Sequence, residues 1–235
     1  MQSKYDRLDR FISKKQNIKR GNVRMLLAQK RIQVDSIIAS DPKQLIGPFN
    51  TVTLDNQIVQ QQSAHYIMLH KPVGVVSATK DDIHQTALDL INTDAYANLH
   101  IAGRLDLNTS GLLLLTNDGK WSRALSNPDS EIKKTYLVEL ENPLCSDYIS
   151  AFANGMYFSY EDITTKPVHL TIISERVAQV ELTQGRYHQI KRMFGRFRNP
   201  VTSLHRVSIG DLVLCNNLAP GQYRELTIAE LALFR

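Results

Sequence analysis

The stretch IAGRLDLNTSGLLLLTNDG, residues 101–119, places Arg104 two positions before Asp106, and Asp106 just ahead of four consecutive leucines. Gly103 frees the backbone, and Asn108-Thr109-Ser110-Gly111 reads as a turn into the strand that the leucines predict. Asp106 is therefore expected in a loop at a strand mouth, where a rigid scaffold commonly carries catalytic groups. An aspartate beside a turn also caps or solvates it. The stretch by itself leaves both readings open.

Two other stretches bear on the choice. In KTYLVEL, residues 134–140, Tyr136 shares a strand face with Val138 and Leu140. Its ring is predicted to point inward with the hydroxyl in need of a partner, as an ordinary core tyrosine would be. In TQGRYHQIKRMF, residues 183–194, a glycine turn feeds a helix whose inner stripe is Ile190, Met193, Phe194 and, beyond it, Phe197. Lys191 flanks that stripe and is expected to lean inward to meet a carboxylate; the alternative is a solvated basic helix face. The compact turn HKPVG, residues 70–74, has no assigned role beyond shaping the chain.

These segments need a frame. The 235 residues allow one large domain or a small and a medium one, and 43% hydrophobic with 22% charged residues describes a globular chain. No apolar run approaches the roughly 20 residues of a membrane span, and the N-terminus lacks the apolar core of a secretory signal. The chain is read as cytoplasmic. Cys145 and Cys215 form no CxxC pair, which argues against structural zinc and a disulfide framework and leaves both as packing residues.

The net charge of +5 is unevenly spread. Residues 1–35 hold ten Lys/Arg against Asp6, Asp9 and Asp35, a local +7 that leaves −2 for the remainder. Such a patch suits a polyphosphate partner, through counterion release, or only aids solubility. Within it, Leu8, Phe11 and Ile12 predict one short amphipathic helix, and Val23, Leu26 and Leu27 a second, with IQVDS (residues 32–36) as a brief strand. A small basic module over 1–58, a linker at 59–64 containing the Gln60–Gln62 tract, and a larger domain over 65–235 follow. In the larger domain YIMLHK, GLLLL, KTYLVEL and VAQVEL read as strands, TALDLIN as a helix segment, Asn117-Asp118-Gly119 as a hairpin turn, and Thr227 with Glu230 as a capped final helix. Many strands, few helices and no strict alternation predict an α+β fold.

GRLDLNTSGLLLLTNDG, KTYLVEL, TQGRYHQIKRMF and LAPGQYRELT, in this order and preceded by KPVG, resemble the ribosomal RNA pseudouridine synthases of the small-subunit type across essentially the whole chain. Residues 5–36 resemble the small RNA-binding module named after the fourth small-subunit ribosomal protein, except that Ser36 stands where glycine is common; Gln184 stands where glutamate is frequent. The resemblance implies a mixed, largely antiparallel sheet flanked by helices, and isomerisation of uridine without a cofactor or metal. It assigns catalysis to Asp106, Tyr136 and Lys191, with Lys191 keeping Asp106 charged. It also implies RNA contacts from Arg104, Arg186, His188 and Arg192, and from Arg7, Arg10, Arg20, Arg24, Lys30 and Arg31 in the basic module. The implied partner is ribosomal RNA, with no membrane and a monomeric state. Tyr187-His188 favours 16S RNA, with uridine 516 (reference rRNA numbering) as the expected target. The alternatives are a 23S enzyme, whose branches carry Asn-Arg there, or a non-catalytic rRNA-binding assembly factor.

Overall fold

The computed structural model describes residues 5–91, 95–96 and 98–234. The chain divides into two compact units, residues 1–64 and 65–235.

In the first unit the predicted apolar spacing forms α1 (Leu8–Gln16) and α2 (Arg20–Ala28), after a two-residue strand β1 (Asp6–Arg7). Leu8, Ile12, Val23 and Leu27 bury one face of these helices against Ile32, Val34, Ile46 and Val52. Strands β2 (Ile32–Val34), β3 (Ile37–Ile38), β5 (Val52–Leu54) and β6 (Gln57–Gln60) make an antiparallel sheet in the order β3-β2-β5-β6, while β4 (Leu45–Ile46) pairs with β1. IQVDS turns back on itself through Asp35 and Ser36, both at positive φ (50° and 66°), as a two-residue hairpin of the primed type requires. Strand β6 runs two residues into the stretch expected as linker, because pairing with β5 satisfies its backbone and Gln60 Nε2 donates to the carbonyls of Gly47 and Asn50.

Among the described residues the second unit is built on a nine-stranded sheet with the order β13-β14-β10-β15-β9-β7-β17. Its strands are β7 (Tyr66–Lys71), β8 (His100–Ala102), β9 (Ser110–Thr116), β10 (Lys134–Leu140), β13 (His169–Ser174), β14 (Val177–Leu182), β15 (Val201–Ile209), β16 (Leu212–Val213) and β17 (Tyr223–Glu225). β8 joins at β9 and β16 at β15. A separate two-stranded ribbon pairs β11 (Tyr157–Phe158) with β12 (Ile163–Thr164). The helices are α3 (Gly119–Ser126), α4 (Asp147–Asn154), α5 (Gln189–Gly195) and α6 (Ile228–Ala232). Within the large sheet β9 and β15 run parallel and the other pairings are antiparallel, the α+β architecture expected.

The leucine run of β9 is buried on both faces. Leu113 and Leu115 enter one core with Tyr136, Val138, Ile190 and Phe194, and Leu112 and Leu114 enter another with Met68, Ile209 and Leu226. At its start β9 meets β15 so closely that a Cβ on Gly111 would overlap the Arg206 carbonyl oxygen, and φ there is 109°. Only glycine fits.

Three expectations are corrected. TALDLIN is a turn over its described residues 86–91, not a helix: Thr86 and Asp89 exchange side chain-to-backbone bonds at 2.7 and 3.2 Å, which closes the chain locally and competes with helical pairing. Its Asn92 lies outside the described residues. Asn117-Asp118-Gly119 does not close a hairpin. Asp118 caps α3 by accepting from the amides of Lys120 and Trp121 at 2.8 and 3.2 Å, an aspartate's other common use beside glycine. Cys145 is exposed rather than packed inside, whereas Cys215 packs against the second core. The Thr227–Glu230 capping box forms as read.

Candidate active site

Three segments of the sheet's rim converge. The loop between β8 and β9 carries Arg104 and Asp106; Tyr136 lies near the start of β10; and the segment from Gly185 into α5 carries Arg186, Tyr187, His188 and Lys191. All of these line one cavity of about 430 Å³, with Thr109, Leu182, Ile190 and Leu204 among its walls. Tyr136 is 8% exposed, and its hydroxyl accepts a long 3.4 Å hydrogen bond from a guanidinium nitrogen of Arg206.

Lys191 is not the side chain that contacts the Asp106 carboxylate. Among the described residues Asp106 pairs with His188, Nε2 to Oδ2 at 3.4 Å, with both side chains 37% exposed. Lys191 lines the same cavity without an ion pair to Asp106 within 4.0 Å. The reason lies in the turn. His188 takes a left-handed conformation (φ 49°) at the head of α5 and stacks on Tyr187 with ring centroids 3.9 Å apart, so the imidazole occupies the position facing the carboxylate.

Two cations not singled out by the sequence reading hold the Asp106 loop. Lys71, at the end of β7, is fully buried, and its Nζ donates to the carbonyls of Thr109, Pro72 and Asp106 at 2.7, 3.0 and 3.1 Å. Burial lowers its pKa to about 8, against the attraction of the Asp106 carboxylate and with the repulsion of Arg206. Arg206, in β15, is 2% exposed and donates to the carbonyls of Leu112, Gly103 and Arg104 at 2.7, 3.1 and 3.4 Å. The loop is thus tied at Gly103–Arg104 by one buried cation and at Asp106–Thr109 by the other. Ser77 adds reciprocal bonds with Leu105 at 2.8 and 3.0 Å, and the Gly74 amide reaches the Leu107 carbonyl. HKPVG is therefore the underside of the site. Its one sequence signal was a lysine closing an otherwise apolar strand.

The predicted RNA-contacting residues separate into groups. Arg104, Arg186 and His188 line the cavity. Arg192 does not: its guanidinium forms a two-pronged pair with Glu161 at 2.5 and 2.6 Å and lies 3.7 Å over the Phe158 ring, because its position on α5 faces the β11–β12 ribbon. In the first unit Arg7 and Arg20 are bound to Asp9 at 2.9 and 3.1 Å, and Arg31 to Asp55 at 2.6 Å. Burial resists ionisation of Asp9, but the two guanidinia outweigh it and hold the carboxyl below its ordinary value. Arg10, Arg24 and Lys30 are exposed and make no ion pair among the described residues.

Chemically the cavity offers a half-exposed carboxylate, a tyrosine ring, an imidazole and several cations. That set suits a substrate with a planar ring and phosphate charge at which positive character develops. The profile of the RNA pseudouridylate synthase family matches residues 65–195, which contain every one of these cavity residues except Leu204. The chain is 46% identical to the ribosomal small subunit pseudouridine synthase A of Pseudomonas aeruginosa over 96% of this chain and 98% of that protein. It is 40% identical to the protein of the same name from Escherichia coli, again over 96% and 98%. A crystal structure of a pseudouridylate synthase superposes with a TM-score of 0.71 at 34% identity, covering 97% of this chain and 99% of that one.

Proposed function

Since this chain belongs to the RNA pseudouridylate synthase family and is a pseudouridine synthase, we propose that it isomerises a uridine of 16S ribosomal RNA, uridine 516 in reference rRNA numbering, with Asp106 as the catalytic carboxylate. The reaction breaks the bond from the sugar's anomeric carbon to the base nitrogen, turns the base, and joins the same carbon to a base carbon, which gives up its proton while the freed nitrogen takes one up. An ionised carboxylate below the sugar traps or stabilises the electron-poor anomeric carbon while the base is detached. The observation that carries this reading is the Asp106 side chain opening onto a cavity walled by Tyr136 and the Arg186–Lys191 segment.

Tyr136 supplies the face on which the detached base stacks. Lys71 is a buried cation attracted to the Asp106 carboxylate, and Lys191 adds positive potential in the cavity itself. The target must leave its stack to reach Asp106, and Arg104 and Arg186 offer guanidinia to its phosphates. The basic first unit supplies sequence-independent affinity for RNA through Arg10, Arg24 and Lys30. The names of the relatives and the Tyr187-His188 pair support the small-subunit target.

The test is Asp106→Asn. Pseudouridine formation should fall on the order of a thousandfold or more while RNA affinity changes by about twofold or less. Full turnover in the variant would remove the central assignment. Mapping pseudouridines in cells with and without the gene addresses the target: loss at one 16S position is expected, and loss confined to 23S RNA would overturn it.

A further inference from the structure

A second cavity, of about 590 Å³, adjoins the first and shares Arg104, Tyr136, Gly185 and Arg186 with it. Its remaining walls include Ile101, Leu125, Ser126, Lys134 and Arg206. Four cations line it and, among the described residues, no carboxylate does. The reaction at Asp106 uses none of Lys134, Ser126 or Leu125.

That balance is costly without an occupant. Lys134 is half-buried at the foot of β10, where its Nζ donates to the carbonyls of Ile132 and Thr183 at 3.0 and 3.4 Å. Burial, and then the Arg206 charge, push its pKa below the ordinary lysine value. It has no acidic partner among the described residues, and neither has Arg206. Like charges gathered in a cleft without a counter-ion are stabilised by an anion that enters it. The clean separation is also informative: Arg104 and Arg186 stand on the ridge between the two cavities, while Ile101 and Leu125 give the second one an apolar wall. Phosphate on the ridge and cations, with an unstacked base against that wall, is how single-stranded nucleic acid is commonly held.

We infer that this second cavity is the binding site for the nucleotide next to the target uridine on the same RNA strand, its phosphodiester held by Arg104, Arg186 and Lys134. The inference rests on the reading of RNA as substrate. It gives the enzyme a two-nucleotide footprint, in which the ridge holds the strand open while the target occupies the Asp106 cavity.

The experiment uses the full chain and an RNA fragment containing the target uridine, with a methylphosphonate replacing, one at a time, each of the three phosphates nearest that uridine. Lys134→Met should raise KM about tenfold, leave kcat within about twofold, and lower the slope of log affinity against log salt by about 0.7–0.9, the value for one phosphate left without its cation. At one of the three positions the neutral linkage should cost the wild type about tenfold and cost Lys134→Met nothing further, the coupling expected of groups that touch. Ser126→Trp, an exposed position on the cavity's rim, should raise KM in the same way by filling it, and gives a second route should Lys134→Met fold poorly. Equal losses in wild type and variant at every position, or unchanged KM and salt slope in both variants, would overturn the inference. Failure of the underlying reading looks different: wild-type protein would form no pseudouridine at all.

Discussion

Lys71→Met separates most of the electrostatic role of the buried lysine from its packing, because methionine keeps an unbranched apolar stem one atom shorter and removes the charge and the donors. In the wild type the ammonium is fully buried and bonded to backbone carbonyls, and its pKa drops from 10.5 to about 8. The unfolded chain keeps the ordinary value, so between pH 8 and 10.5 it binds more protons than the folded one. Stability then rises with pH across that window, as the folded lysine loses the charge that burial penalises. At about 1.4 kcal/mol per pH unit, the gap between 10.5 and about 8 bounds the rise at about 3.5 kcal/mol. At pH 7 the penalty and the lost carbonyl bonds oppose each other. Each bond to a charged donor contributes about 1.5–3 kcal/mol, so the variant should be less stable there by roughly 1–4 kcal/mol. Urea unfolding of both proteins at intervals from about pH 7 to 10.5 reads the effect directly. The wild-type curve should climb relative to that of the variant above pH 8, and wild-type pseudouridine formation should decline over the same range as the Asp106 loop loses one of its two buried cations. Parallel stability curves would refute the claim that this amine is charged and buried beneath the Asp106 loop.

Other consequences are simpler to read. Gly111→Ala should destabilise the second unit by more than about 3 kcal/mol, because the methyl group meets the Arg206 backbone and φ is 109°; thermal unfolding measures it. Ser36→Gly should stabilise the first unit by about 0.5–1 kcal/mol, since serine there holds a φ of 66° that glycine adopts freely; an unchanged or lower unfolding midpoint would contradict the turn assignment. Replacing Arg10, Arg24 and Lys30 together by Gln should flatten the salt dependence of RNA binding by about 0.7–0.9 in log–log slope for each phosphate no longer neutralised, with little change in stability. Arg7→Gln alone should destabilise the module, because Asp9 is 1% exposed and keeps only one of its two guanidinium partners; chemical unfolding reads the loss.

Much of this was legible in residue order. Apolar periodicity is a local property, so the faces of α1, α2, β9 and β10 and the inward turn of Tyr136 follow from one-dimensional spacing. So do the Thr227–Glu230 capping box and the concentration of positive charge in the first 35 residues. Asp106, Tyr136 and the 186–191 segment could be named as candidates because each sits in a distinctive short stretch. Asp118 and TALDLIN misled for the same reason: aspartate serves turns and helix caps alike, and a seven-residue pattern is too short to decide against local side-chain bonds.

What only the tertiary structure decided is which charges meet. Lys71 and Arg206 stand 35 and 100 positions from Asp106 in the chain, and apart from a lysine at the end of an apolar strand nothing in HKPVG or SLHRVS points to the ties that hold its loop. The choice of His188 over Lys191 as the partner of Asp106 depends on one left-handed residue at the head of α5. Arg192 was lost to Glu161 by the direction its helix position faces. Spacing along a chain determines which face a side chain occupies; whether an opposite charge waits there depends on strands paired from distant segments, and that distance is closed only by folding.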